Sequence, residues 1–344
     1  ASSDTAADNV AIGMGAIDAI TTGDKNIAIG RNAGGALTTG DRNVFIGSES
    51  GDAATEASQN TGVGNDAFTS LTDGDHNVGI GVNVFAALTT GHRNISIGQT
   101  SSDGFDTEND NLAIGTGALG GAVAGGEFNV AIGNNTLDAL TSGDNNTVMG
   151  YEAGGALTTG GENTILGNYA VSTGVLTGSG NVAIGRLAGQ DLTSATGNVI
   201  IGRSAAQQAT TSDGNVIIGD GAVQVGILTG NDNVVIGQGA GVDLTSAAQN
   251  TIIGEQSGAQ ITTASENVYI GHKAAGTGIG TSGYNIAIGN EAAEAATSMS
   301  ESVAIGYRAL EANTTGSHNI GIGYTALDNA DAENHNLAIG SNAL

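Results

Sequence analysis

One five-residue segment constrains this chain more than anything else in it. Asn-Val-Ala-Ile-Gly appears first at Asn9-Val10-Ala11-Ile12-Gly13 and returns, with small variations, to the last residues. The step is 17 residues, or 18 in the four units that begin at Asn111, Asn163, Asn215 and Asn267. One anchor departs from Asn, at Ser302. A fixed period of this size signals a repeat architecture, in which each unit packs only on its neighbours. The 344 residues therefore report a number of rungs, and the expectation is one continuous solenoid over residues 1–344.

Positions are given as offsets from the anchor. Offset +1 is Val, Ile, Leu or Thr in every unit, +3 is Ile, Val, Leu or Met, and +4 is always Gly. Alternation places +1 and +3 on one face of a short strand, and β-branched residues favour that conformation. Glycine at +4 ends the strand through a positive φ or a close backbone approach. A second apolar group at +7 (Ala33, Ala67) and +11 (Leu37, Leu71, Leu88) is expected to face +1 and +3 across a thin core. Recurrent Gly leaves no helical window, each costing about 1 kcal/mol in a helix. The fold class is thus all-β, a parallel β-solenoid of about twenty rungs with two or three short strands per coil. At about 4.8 Å per rung its length is about 95 Å.

The anchor column, including Asn26, Asn43, Asn198, Asn215 and Asn250, reads as an amide ladder running from rung to rung, or as a local turn amide. Asn also tolerates left-handed backbone. In the long units the extra residue falls in a connecting loop. Counting back six from the next anchor gives Val123, Val175, Ile227 and Ile279, where the apolar register recovers.

Composition narrows the function classes. The net charge is −26, which argues against nucleic acid and against an anionic membrane surface. No apolar run reaches a membrane span of about 18 residues. The start, Ala1-Ser2-Ser3-Asp4, carries no signal-peptide pattern. Absence of Cys removes disulfides and thiolate metal sites.

Chemistry-bearing motifs are sparse. His76, His92, His318 and His335 sit just before an anchor, and His272 lies elsewhere; His318 and His335 share a column about 5 Å apart. They read as solvated corner residues, since a metal site needs more ligands. Asp24 and Asp41 stack as an acidic edge, with weak calcium binding the alternative. Gly13-Met14-Gly15 and Gly276-Thr277-Gly278 lack the βαβ context of a nucleotide site. No catalytic residue, cofactor site or metal site is assigned, and the chain reads as non-enzymatic.

Two columns suggest binding. Offset +2 points away from +1 and +3 and so is expected to face outward. It carries no charge, and its larger members include Phe45; the candidate interface residues are Val148, Ile165, Ile200, Ile217, Val235, Ile252 and Tyr269. Such a stripe marks a chain–chain interface or packs on a loop of its own rung. Offset +12 is Thr in most 17-residue units, with Asp106 and Asp331 as exceptions. Threonine ranks resemble ice-binding solenoids, although the adjacent Thr-Thr pair here also suits a turn.

The segments Asn129-Val130-Ala131-Ile132-Gly133 and Asn181-Val182-Ala183-Ile184-Gly185-Arg186-Leu187-Ala188 resemble the head repeats of trimeric autotransporter adhesins, and similar repeats in tailed-phage fibres. The resemblance spans the chain at motif level, with longer rungs here. It implies β-rolls assembled as trimers with the strand motif near the axis, and a role in surface attachment outside the cell or on a virion. It transfers no binding residue, and the receptor is left open. The expected function is a self-associating fibre or adhesin shaft; the alternative is an ice- or glycan-binding solenoid acting through its Thr face. Nine residues after Asn336 and eight before Asn9 make one rung, and Asp4-Thr5-Ala6-Ala7-Asp8 matches the end of a rung. Head-to-tail stacking or a longer fibre is the expectation that follows.

Overall fold

A computed structural model describes residues 6–121, 125–277, 282–329 and 332–344. Ala1, Ser2, Ser3, Asp4, Thr5, Val123, Gly278, Ile279 and Asp331 lie outside the described residues. The chain divides into two compact units, Ala1–Ser172 and Thr173–Leu344.

Every described rung contains one strand of three residues, starting directly after the anchor. The first unit holds ten, from β1 (Val10–Ile12) to β10 (Thr164–Leu166), and the second ten, from β11 (Val182–Ile184) to β20 (Leu337–Ile339). Within each unit successive strands pair in parallel with each offset opposite itself, as Val10 with Ile27 and Val199 with Val216. The protein is therefore a parallel β-solenoid. The second and third strands expected per coil are absent among the described residues. Turns replace them, because left-handed residues at +6 and +8 interrupt any extended run, as at Asn32 (φ +56°) and Phe68 (φ +60°).

Glycine at +4 is required by the stacking itself. Gly64 has φ +147°, and a Cβ there would lie 2.0 Å from the carbonyl oxygen of Gly81 on the next rung. No side chain fits that gap.

The core reverses one expectation. Offset +2 points inward: Val148, Ile165, Ile200, Ile217, Val235, Ile252 and Tyr269 are all buried inside their own chain, none more than 3% exposed. They are core residues and not a chain–chain interface. Offsets +7 and +11 are core residues as expected, with Ala33, Ala67, Leu37, Leu71 and Leu88 fully buried, but they share that core with +2 and not with +1 and +3. Offset +8 joins this core, with Phe68, Phe85, Leu119 and Leu137 buried despite a positive φ. Holding a bulky residue in that region costs about 1–2 kcal/mol, and burying a Phe or Leu returns about 1.5–3 kcal/mol.

In three consecutive rungs, those of Asn43, Asn60 and Asn77, size compensates between +2 and +8. Phe45 fills the space over Gly51, where a Cβ would meet its ring at 2.6 Å. In the next rung the roles exchange: Phe68 lies 2.9 Å from where a Cβ on Gly62 would sit. Phe68 then stacks on Phe85 at 5.1 Å between centroids. Where +2 is polar, at Ser96, its hydroxyl donates to Ser101 Oγ at 2.7 Å.

The long rungs also differ from expectation. Leu176 and Leu228 are fully buried, whereas Val175 and Ile227 are 59% and 56% exposed. The core slot falls five residues before the next anchor, so the extra residue pushes the β-branched side chain out into solvent.

Candidate interaction surface

Two side-chain ladders build the corner that carries each strand. In the first, the anchor Oδ1 accepts from the next anchor. Asn26 Oδ1 takes the Asn43 backbone N–H at 2.9 Å and its Nδ2 at 3.0 Å. The same amide Nδ2 donates to the carbonyl at +14 of its own rung, Asn26 to Gly40 O at 2.8 Å. Asn198, Asn215 and Asn250 repeat the pattern in the second unit, and all five of these anchors are buried. The backbone there is not left-handed. The positive φ falls one residue earlier, as at Arg42 (φ +56°) and Gln59 (φ +61°).

The second ladder runs the opposite way at +15. Asp24 N–H donates to Asp41 Oδ1 at 2.7 Å, and Ser58 N–H to Asp75 Oδ1 at 2.7 Å. Asp75 N–H donates to His92 Nδ1 at 2.9 Å, so the His92 ring acts there as a neutral acceptor. The acidic edge seen in the sequence is thus a set of side-chain acceptors for backbone N–H groups on neighbouring rungs. Nothing in the sequence pattern distinguishes that use from a solvated edge.

Threonine at +12 is engaged similarly. Thr38 Oγ1 donates to Thr55 O at 3.0 Å and Thr245 Oγ1 to Thr262 O at 2.9 Å. Its hydroxyl proton is spent on the next rung, and the +13 residue is exposed, as in Thr39 and Thr211.

What faces outward from the strands is +1 and +3. Most strands bury only their middle residue, as in Val199–Ile201 and Val216–Ile218. Ile12, Ile80, Ile95 and Met149 are exposed outright. Each unit therefore presents a flat strip two side chains wide, without one charged residue.

The flanks of this strip are the columns at +5 and +6 on one side and the residue before the anchor on the other. All eight Lys and Arg of the chain lie on them: Lys25, Arg42 and Arg93 before anchors, Arg31, Arg186 and Arg203 at +5, Lys273 and Arg308 at +6. The aromatic residues divide as sharply. Phe45, Phe68, Phe85, Phe105 and Tyr269 are buried in the core. The remaining six, Phe128, Tyr151, Tyr169, Tyr284, Tyr307 and Tyr324, all stand on the flanks.

Several flank residues pair between rungs. Tyr307 and Tyr324 stack at 5.2 Å with the Arg308 guanidinium over Tyr307. His318 and His335 stack at 4.8 Å, near the spacing read from the sequence, and His318 Nε2 lies 3.1 Å from Glu301. Tyr151 meets Tyr169 edge-on, and its hydrogen bond to Glu152, with that carboxylate's charge, pushes its hydroxyl up to about 12. Glu291, Glu294 and Glu311 come close enough to share a cation, but Arg308 already bridges Glu291 and Glu311. No helix among the described residues is long and apolar enough to cross a membrane.

No protein-family model matches the sequence, and a search of curated proteins finds no match.

Proposed function

We propose that this chain is a structural, self-associating β-solenoid, a fibre or adhesin shaft of an extracellular, cell-surface or virion appendage, in which other copies cover the strip. One observation carries the reading: the uncharged +1 and +3 columns are bordered by every Lys and Arg of a chain whose net charge is −26. An apolar centre with an Arg- and Tyr-bearing rim is how protein interfaces are composed, and the all-acidic remainder is how a solvated surface is. At about 50 Å² per half-exposed side chain, the strip of one unit offers about 1,000 Å², above the about 800 Å² per partner of a standard interface.

The mixed rim favours a second copy over a strongly charged partner. Copies lying parallel can oppose Arg42 to Glu49, Glu266 to Lys273 and Glu301 to Arg308 at equal rung heights. Three copies around one axis is the arrangement the adhesin resemblance implies. Ice or glycan binding through the Thr face has less support, because the +12 hydroxyls are committed to the neighbouring rung.

Sedimentation equilibrium tests the reading. The wild type is expected as a trimer, and the variant Ile201→Lys/Ile218→Lys/Ile236→Lys as a folded monomer. A monomeric wild type at micromolar concentration overturns it.

A further inference from the structure

We infer that the second unit carries a binding groove for a neutral, extended oligosaccharide, on the side of the rungs between +5 and +10. A cavity of about 430 Å³ opens there between Gln256, Gln260, Asp243 and Lys273, over a floor of Gly239, Val242 and Ala259. A second cavity of about 220 Å³ continues it past Gln238 and Gln224 to Arg203 and Asp220, sharing Gly239, Val242 and Gln256. The larger is within the usual range of ligand sites, about 300–1,000 Å³.

The trough has a local cause. Offset +6 is Gly at 221 and 239, and +9 shrinks from Gln190, Gln207 and Gln224 to Val242, Ala259 and Gly276. Removing those side chains opens a channel along the rung direction. Its walls keep their amides. The side chains of Gln238, Gln256 and Gln260 line it, and none of the three is tied down by a hydrogen bond among the described residues.

Ligand class follows from charge and repeat. The lining pairs Arg203 with Asp220 in an ion pair and holds one Asp243 and one Lys273, so it is balanced within a strongly acidic chain. An anion gains nothing there, and a cation has the whole remaining surface. Glutamine amides each donate and accept, which suits hydroxyl groups. Gln224, Gln238 and Gln256 stand on three successive rungs, at +9, +5 and +6, so the amides follow the trough from rung to rung and suit an extended ligand with hydroxyls along its length. The groove offers no aromatic or deep apolar pocket to anchor a peptide side chain.

The groove borders the self-association strip, since Arg203, Asp220, Gln238, Gln256 and Lys273 stand on its +5 and +6 flank, but the floor and far wall at +9 and +10 lie outside the strip. The test is calorimetric titration of the wild-type chain with cellohexaose, maltohexaose and chitohexaose, with hexagalacturonate as the anionic comparator. At least one neutral hexasaccharide is expected to bind, with affinity unchanged between 0.05 and about 0.5 M salt, since no counterion release is involved. Ala259→Arg, which fills the trough, should weaken it at least tenfold, and Ser246→Arg on the exposed +13 column should not. If Ala259→Arg does not fold, Gln256→Ala/Gln260→Ala replaces it with the same expected loss. Absence of binding by all three neutral sugars, equal binding of the anionic one, or indifference to the groove variants overturns the proposal.

Discussion

The side-chain oxygen of Asn43 accepts two hydrogen bonds from Asn60, one from its backbone N–H at 3.0 Å and one from its amide Nδ2 at 3.2 Å. One carbonyl thus satisfies a corner N–H that turns away from the sheet, and orients the amide that will do the same for the next rung. Burial strengthens such a chain of bonds and makes a gap in it expensive.

Asn198→Ala opens that gap in the second unit. It strips the Asn215 N–H and Nδ2 of their acceptor and Ser212 O of its donor. A loss of about 1–3 kcal/mol is expected, read as a lowered melting temperature where unfolding is reversible. An unchanged melting temperature would remove the ladder from the list of stabilising features.

Ser302 shows how the ladder tolerates a substitution. Asn319 N–H still finds Ser302 Oγ at 3.1 Å, but no amide reaches the +14 carbonyl of that rung. The same rung carries Asn313 at the apolar +11 position, with Oδ1 accepting from Gly316 N–H and Nδ2 buried without a partner. The two departures belong together. Ser302→Asn with Asn313→Leu is expected to stabilise by about 1–3 kcal/mol, more than the two single changes summed. Strict additivity in a double-mutant cycle would show the sites to be independent.

The period, strand positions and obligatory glycines were legible because the glycine at +4 repeats without exception and the step varies by only one residue. The side of the strand that faces the core was not, since alternation gives two faces and leaves their sense open. Both candidate columns are uncharged, and +1 and +3, being the more uniformly β-branched, took the core side, which left +2 facing outward. The signal was present in pairs: Phe45 with Gly51, Gly62 with Phe68, Gly79 with Phe85 keep a constant volume that only facing core positions require. The +8 column escaped notice because its Gly, Phe and Leu look irregular when read singly. The clustering of every Lys and Arg beside +1 and +3 would have marked the outer face independently.

Acid should stabilise this protein over part of the range. Burial raises the carboxyls of Asp52, Asp103 and Asp138, all at offset +9, above their ordinary value. The native state then binds protons more readily than the unfolded chain, so the stability they contribute is full below about pH 4 and lost as pH rises through the raised values. Asp110, lowered by its hydrogen bond to Arg93, has the opposite sign but is exposed to screening solvent. The melting temperature is expected to rise as pH is lowered from 7 toward about 4, the ordinary carboxylate range. Asp52→Asn/Asp103→Asn/Asp138→Asn should melt higher at pH 7 and flatten that slope. A wild type that loses stability over the same interval, or a triple variant with the same slope, contradicts the assignment.

Ile217 and Ile218 are neighbours in one strand and face opposite ways. Ile217 is 1% exposed and packs in the core, while Ile218 is only half-buried and lies on the outer strip between Ile201 and Ile236. The same substitution should therefore have two different effects. Ile217→Asp places an unpaired carboxylate where no water reaches it, at a cost of about 4 kcal/mol or more, and should leave the chain unfolded or insoluble. Ile218→Asp leaves the charge at a solvent-facing position of the isolated chain, where strand preference alone changes stability by about 1 kcal/mol or less. Its far-UV circular dichroism should match the wild type. In the assembly the same carboxylate would sit between apolar strips, so sedimentation should show a shift toward monomer. If both variants fold alike, the inward sense of +2 is wrong. If Ile218→Asp folds and keeps the wild-type mass, the strip is not where copies meet.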